Sequence, residues 1–449
     1  MVGLLRSEQM SEQNLVSDVL IVGGGLAGLA AGLDLSRSGR KVRLLEAADA
    51  VGGRARTEWW GGRPVDRGFQ VTFSAYPAFR KFVADIGIPK SDLRPFVDGG
   101  AFFDGAQWGE LSSSPLSLFR FSALDVADRA RFVRLAAEIR FASPRRLLAR
   151  DQDASTTEAF LLQRGFSNAA IDRMFRPLFG VIFLDRSLSA DPGYFLFLLS
   201  MLVRGPSVLP SDGLGMVGDW AAGAIRQTGG DIRTGVRVAA LARDPDSGRM
   251  TGAVDGDGIT YSAAVVILAV DAPAARELLA DHDAGTAAKI PSDGASVTSA
   301  RFALRSSLYQ GRKILLNAAP ESGVHPRIDL VCQTTNVNRH DAVGAPHIVV
   351  ATSVGDSDAT AAGIEDALER QIHRWFPEFP WSRVAESIGV VRHPFAQFRP
   401  LAGVRRSLPG TRTNVPNLLL AGEFTMHPSL EGAVSSGVTA AEIAERQLG

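Results

Sequence analysis

Three glycines, Gly23, Gly25 and Gly28, stand in the spacing GxGxxG, and Glu46 follows at the end of the next apolar run. A dinucleotide pyrophosphate needs such a pattern. The first glycine allows a tight turn, the second lets the backbone approach the phosphates, and the third lets helix and strand pack closely. The apolar run VLIV precedes the glycines at residues 19–22, and Ala and Leu at helical spacing follow them as far as Arg37 and Gly39. A helix that opens there presents unpaired N–H groups and a partial positive charge to an anion. Residues 42–45 form a second apolar run, and Glu46 behind it is placed to accept hydrogen bonds from a ribose diol. Strand, turn, helix, strand and acid make a βαβ unit of the length that a parallel crossover requires. The sequence therefore predicts dinucleotide binding.

GxGxxG does not choose between NAD and FAD, but two further segments do. Gly52, Gly53 and Arg54 share one loop after Glu46, where a second glycine pair and a cation can close over the pyrophosphate. The stretch NLLLAGEFTMHPSLEGAVSSG at 417–437 reads as a buried strand ending at Gly422 and Glu423, then a helix beginning near Gly432. Free N–H groups at that helix start suit the pyrimidine end of a reduced flavin, where negative charge develops.

The elements that position these residues are spread along the chain. Residues 125–148, 155–165 and 168–179 read as amphipathic helices, and 213–227 as another. Strands are expected at 232–241, 251–254 and 264–270, and a further β-sheet from 295–304, 313–317, 327–334 and 347–354. A helix is expected at 364–376, a buried strand at 417–421 and an Ala-rich helix at 432–448. The most apolar strands fall at the beginning, middle and end of the 449 residues. The expected class is α/β: a Rossmann-like FAD-binding domain whose parallel sheet comes from the discontinuous segments 15–75, 210–272 and 392–449. Residues 76–209 and 273–391 would form a mixed α+β substrate-binding or cap domain.

Taken together, the motifs resemble the superfamily of FAD-dependent amine oxidases, protoporphyrinogen oxidases and phytoene desaturases. The resemblance is carried by GGGLAGLAAGLDLSRSGRKVRLLEAADAVGGRART near the start and PVDRGFQV at 64–71. It continues in PSDGLGMVGDWAAGAIRQTGGDIRTGVRVAAL at 210–241, AVVILAVDAP at 264–273 and the C-terminal NLLLAGEFTMHPSLEGAVSSGVTAAE. It implies that Gly23, Gly25, Gly28 and Gly53 line the pyrophosphate, that Glu46 holds the adenosine ribose and that Arg54 approaches the phosphates. It further implies that Val238 offers its amide to the adenine, that Gly422 and Glu423 meet the ribitol–pyrophosphate region, and that Gly432, Ala433 and Val434 face the flavin ring. The insertion FRPLFGVIFLDRSLSA at 175–190 is nearer the phytoene desaturase branch. The flavin-facing lysine of the amine oxidase branch has no convincing counterpart in Lys289 or Lys313, and Trp375 and Trp381 lie before the flavin segment. The implied activity is an FAD-dependent oxidoreductase that desaturates a hydrophobic, isoprenoid or polyene-like substrate by hydride transfer to flavin N5, with oxygen or a quinone as acceptor. Three alternatives stay open: an amine oxidase releasing hydrogen peroxide, a non-redox polyene isomerase, and a non-enzymatic prenyl-binding protein. No catalytic acid or base is nominated.

Other chemistries are disfavoured. Lys+Arg (48) balances Asp+Glu (48), so the basic excess that phosphate-backbone binding uses is missing and no nucleic-acid partner is expected. The single cysteine, Cys332, cannot make an internal disulfide, a CxxC pair or a zinc cage, and it lies far from the C-terminal block, so the FAD is expected to be non-covalent. The histidines lack HExxH spacing and no Gly-Lys dipeptide exists for a phosphate loop, so no metal site is expected. Residues 1–17 hold no apolar stretch of signal length, with Met10 as a second start, and no run reaches about 18 apolar residues. A cytoplasmic protein is expected, with peripheral membrane contact. Residues 194–203 read as buried core, His427 as a packing or capping residue, and Arg145, Arg146, Arg405 and Arg406 as solvated.

Overall fold

In the computed structural model the opening strand Val16–Val22 pairs in parallel with Val42–Glu46 on one side and Thr260–Leu268 on the other. Residues 16–69, 71–112, 115–149, 155–320, 323, 325–338, 344–356 and 358–449 are described. The expectations for residues 1–15, and Gln70 of PVDRGFQV, lie outside them. Asp231–Thr234 extends the sheet beyond Val42–Glu46, and Leu418–Leu420 pairs with the far half of Thr260–Leu268, both in parallel. Early, middle and late segments therefore build one parallel sheet. Side chains alternate across it: Val19 and Ile21 join one core, Leu20 and Val22 another. Burial on both faces is why these strands read as unbroken apolar runs.

One expectation needs correction here. Residues 232–241 are not a single strand, because the chain turns at Gly235, whose φ is +73°. The amides of Gly235 and Val236 bond to the carbonyls of Ala48 and Glu46. The chain then crosses the end of the sheet, and Val238–Arg243 pairs antiparallel with Met250–Asp255 near the opposite edge. Met250–Asp255 in turn runs antiparallel to the start of Thr260–Leu268, so the complete sheet is mixed.

The second large sheet takes the order Ala385–Phe398, Gly294–Leu304, His347–Val354, Leu330–Gln333, Lys313–Asn317, Gly99–Phe103, Trp108–Leu111. It is antiparallel except where Lys313–Asn317 meets Gly99–Phe103. Helices surround one end of it. The expected helix at 125–148 is two, Val126–Phe141 and Pro144–Leu148, divided where Pro144 removes an amide donor. The run starting at Asn168 passes through a π-turn at Ile171–Phe175 and continues to Phe183. Pro192–Arg204 is apolar almost all round and correspondingly buried.

The first and last helices of the described residues meet. Leu430–Leu448 lies against Leu26–Arg37, and Gly437 is the point of closest approach: a methyl group there would fall 2.1 Å from the Ala27 carbonyl oxygen and 3.0 Å from Ala30 Cβ. Gly437→Ala should therefore destabilise the protein by about 1–3 kcal/mol through overpacking. Gly223→Ala, in a helix where an added methyl meets nothing within 4 Å, should be neutral or stabilising by about 0.5–1 kcal/mol. Thermal denaturation of both variants checks the contrast.

Candidate functional site

The opening strand ends just before Gly23, and Gly25 is the N-cap of the helix Leu26–Arg37. A methyl group at Gly25 would meet no atom within 4 Å, because Gly25 borders a cavity of about 1380 Å³. The loop holding Gly52 and Gly53 closes on this turn. Gly52 N donates to Gly24 O at 2.8 Å, and a methyl on Gly53 would come within 3.3 Å of Gly25 Cα. Glu46 folds back on the same turn: Oε2 accepts from Gly24 N at 2.6 Å and Oε1 from Ala48 N at 2.8 Å. A carboxylate has about four acceptor positions, so half remain for a diol.

Gly23, Gly25, Glu46, Gly53, Arg54, Val238, Gly422, Glu423 and Ala433 all line this cavity. Arg54 is the link between the two halves. Both its terminal nitrogens donate to Glu423, each at 2.9 Å, and one also reaches Ala396 O at 2.5 Å. Such a fork-to-fork pair fixes orientation as well as distance. Glu423 is 8% exposed at its side chain and Arg54 33%, so the pair seals one wall of the cavity.

Gly28, Gly432 and Val434 do not line the cavity. A methyl on Gly28 would fall 2.0 Å from Gly23 O, and one on Gly432 would fall 2.1 Å from His427 O. Val434 is fully buried in the core. The two glycines let backbone segments approach, and the Val434 side chain packs into the core. The C-terminal helix also begins earlier than expected, at Leu430, because Ser429 caps it. Ser429 Oγ accepts from Gly432 N at 3.0 Å, so that amide is taken, and Leu430 and Ala433 carry the first turn to the cavity wall.

By the chemistry of its lining the cavity divides into two limbs. The first, between the glycine turns, residues 236–239 and the helix Ala272–Ala280, has bare glycine, a helix N-terminus and Glu46, which fit the pyrophosphate and ribose of a dinucleotide. The total volume exceeds the roughly 300–1,000 Å³ of a pocket for one small ligand, which leaves room for a second molecule. The second limb begins beyond Gly68 and is lined by Phe69, Phe73, Phe96, Phe102, Phe175, Phe179, Leu198 and Leu202 among others. Among the described residues this limb contains no Asp, Glu or Lys. Its charge is Arg204, held by the carbonyls of Ile139 and Ala142, with a pKa lowered by burial and then by Arg140.

Sequence reasoning missed a polar group at the junction of the limbs. Ser299, Thr352 and His393 line the cavity there. Ser299 lies directly across from Thr352, and the same register continues through Leu330 and Leu316 to Phe102. The wall thus runs from polar to apolar along one row of the sheet. Burial, then Arg67 and Arg54, lower the His393 pKa, so the ring is neutral near pH 7. No local pattern marks Ser299 and Thr352, since Gly294–Leu304 also carries Ser296, Thr298 and Arg301, and His347–Val354 also carries Ser353.

The remaining expectations divide. Residues 194–203 are core, and Tyr194, Leu198, Leu199, Leu202 and Val203 are cavity wall as well. His427 packs between Tyr194 and Phe197, with Nδ1 2.9 Å from Ser429 Oγ. Burial, and then Arg405, push its pKa down to about 3. Arg405 is not a solvated residue: it donates at 2.9 Å to Asp191, which is wholly buried, because Asp191 needs a counter-charge there. Lys289 is exposed, and Lys313 pairs with Glu110. Trp375 and Trp381 belong to a separate core, and Cys332 is buried away from the cavity.

A model of the family described as "Flavin containing amine oxidoreductase" matches residues 26–444. The chain is 26% identical over 296 residues to a zeta-carotene desaturase of Synechocystis sp., covering 59% of each chain. It is 46% identical over 63 residues to "Probable polyamine oxidase 4" of Arabidopsis thaliana, covering 14% of this chain and 13% of that one. The chain thus spans less than two thirds of these curated relatives. An oxidoreductase structure from Methanosarcina mazei superposes with a TM-score of 0.74 at 17% identity, over 94% of this chain and 99% of that one.

If the space before Gly25 is where phosphates lie, Gly25→Ala should weaken nucleotide retention by roughly tenfold, about 1.4 kcal/mol. The melting temperature of the nucleotide-free protein should not change, since the methyl meets nothing. Nucleotide stoichiometry after gel filtration, with melting of the stripped protein, tests both.

Proposed function

The chain belongs to the flavin containing amine oxidoreductase family and its cofactor is FAD, and from that premise we propose an oxidoreductase that dehydrogenates a hydrophobic, isoprenoid or polyene-like substrate. The observation that carries the reading is the second limb of the cavity, aromatic and aliphatic, with no carboxylate or lysine among its described residues. An ammonium ion entering it would lose its water without gaining a counter-ion, a cost of several kcal/mol. A hydrocarbon entering it gains about 0.8 kcal/mol per buried CH₂.

In this reading residues 15–75, 210–272 and 392–449 hold the FAD, and 76–209 with 273–391 shape the substrate chamber. Gly23, Gly25 and Gly53 make room for the pyrophosphate, with Arg54 at its side. Glu46 takes the ribose, Val238 borders the adenine, and Gly422 and Glu423 meet the ribitol. The FAD is held non-covalently, as Cys332 does not reach the cavity. When bound, the isoalloxazine supplies a hydride acceptor at N5. The chain's own residues orient the substrate and exclude water, and the helix opening at Leu430 turns its positive end toward the place where negative charge develops. Oxygen or a quinone takes the electrons onward. Leu116, Phe119, Val126, Val133 and Phe141 are exposed on helices whose other sides border the cavity. That arrangement suits peripheral contact with a lipid surface from which such a substrate is drawn.

Amine oxidation with release of peroxide is the second reading, and the polyamine oxidase likeness favours it. That the described residues of the limb include no acid or lysine weighs against it. Anaerobic mixing of the holoprotein with polyenes and with amines separates the two. Bleaching of the flavin band by polyenes alone is the expected result; bleaching by amines alone would reverse the assignment. Polyene isomerisation without bleaching would mean non-redox catalysis, and tight binding with neither would mean a prenyl-binding protein.

A further inference from the structure

Three polar atoms at the junction of the two limbs are buried without a protein partner: Ser299 Oγ, Thr352 Oγ1 and His393 Nε2. All three residues line the cavity. Ser299 and Thr352 are paired across adjacent strands, and they are 1% and 5% exposed. Gly68 completes the group, for a methyl placed on it would lie 3.7 Å from both His393 Nε2 and Ser299 Oγ. Buried polar groups are nearly always satisfied, and leaving one unpaired costs about 1–3 kcal/mol. Three together around one space mark a place for a ligand group.

The donor and acceptor pattern defines that group. In the neutral His393 ring Nε2 accepts or donates according to the tautomer, and each hydroxyl can do both. A ligand carbonyl only accepts, so it cannot match Nε2 in the tautomer that leaves that nitrogen bare. An ammonium only donates, so it would leave the two hydroxyl protons unused, and it would face Arg67 and Arg54, the cations that lower the His393 pKa. A hydroxyl has one proton to give and two lone pairs, which satisfies all three. We propose that Ser299, Thr352 and His393 form a clasp for a hydroxyl group on an otherwise lipophilic substrate, held where the polar row of the sheet wall gives way to the apolar one.

This rests on the lipophilic-substrate reading and narrows it to oxygenated lipophiles. The holoprotein is titrated by calorimetry with a linear twenty-carbon polyene alcohol and with the matching hydrocarbon. The alcohol should bind about tenfold more tightly, the value of one or two net hydrogen bonds. Ser299→Ala combined with Thr352→Val should bring the alcohol close to the hydrocarbon, leaving hydrocarbon affinity and flavin content unchanged. His393→Leu should also reduce the preference. Equal affinities in the unaltered protein would mean that water fills the clasp, and a preference that survives the double variant would place the hydroxyl elsewhere; either result overturns the proposal. Binding of neither probe, with amine binding intact, would overturn the lipophilic reading itself.

Discussion

The ends of this chain are held together by a contact that tolerates no side chain. Where Leu430–Leu448 crosses Leu26–Arg37, Gly437 brings backbone against the Ala27 carbonyl. The first turns of both helices then open toward one cavity, Gly25 at one and Leu430 at the other. The Arg54–Glu423 pair repeats the closure a few residues away, joining the second glycine loop to the strand that leads into the C-terminal helix. A methyl group at Gly437 would push the two helices apart.

The cavity itself is a gradient of polarity. One limb offers backbone amides, glycine and carboxylates; the other offers rings and aliphatic chains, with no acid among its described residues. Pro192–Arg204 ties the limbs mechanically, because Tyr194 Oη donates to Pro428 O at 2.6 Å and Asp191 is paired with Arg405. Glu431, in the first turn of the C-terminal helix, accepts from the amides of Ala78 and Phe79 and so holds the helix Pro77–Asp85 against it. The two limbs are thus braced by the same few residues.

What could be read from the sequence was what depends on neighbours in the chain. The βαβ unit was legible because one strand, one turn and one helix carry all its chemistry within a short stretch. Val42–Glu46 ends where the apolar run suggested, and Glu46 reaches back to Gly24. The start of the last helix was misjudged by two residues because Gly432 drew attention away from Ser429, the ordinary N-cap type. Residues 232–241 looked continuous because an apolar pattern carries across Gly235, which only the φ of that residue reveals. The junction of Ser299, Thr352 and His393 was invisible, since its members come from three strands whose register no local pattern encodes. Arg405 was hidden for the same reason, its partner Asp191 lying in a distant segment.

The most direct test of the account is a crystal structure of the protein with its bound flavin. One FAD should span the cleft, its adenosine between Glu46 and residues 236–239 and its ring against Leu430 and Ala433, beside Gly68. Density for the ring remote from the first turn of the C-terminal helix, or a nucleotide bound outside the cleft between the two chain ends, would contradict it.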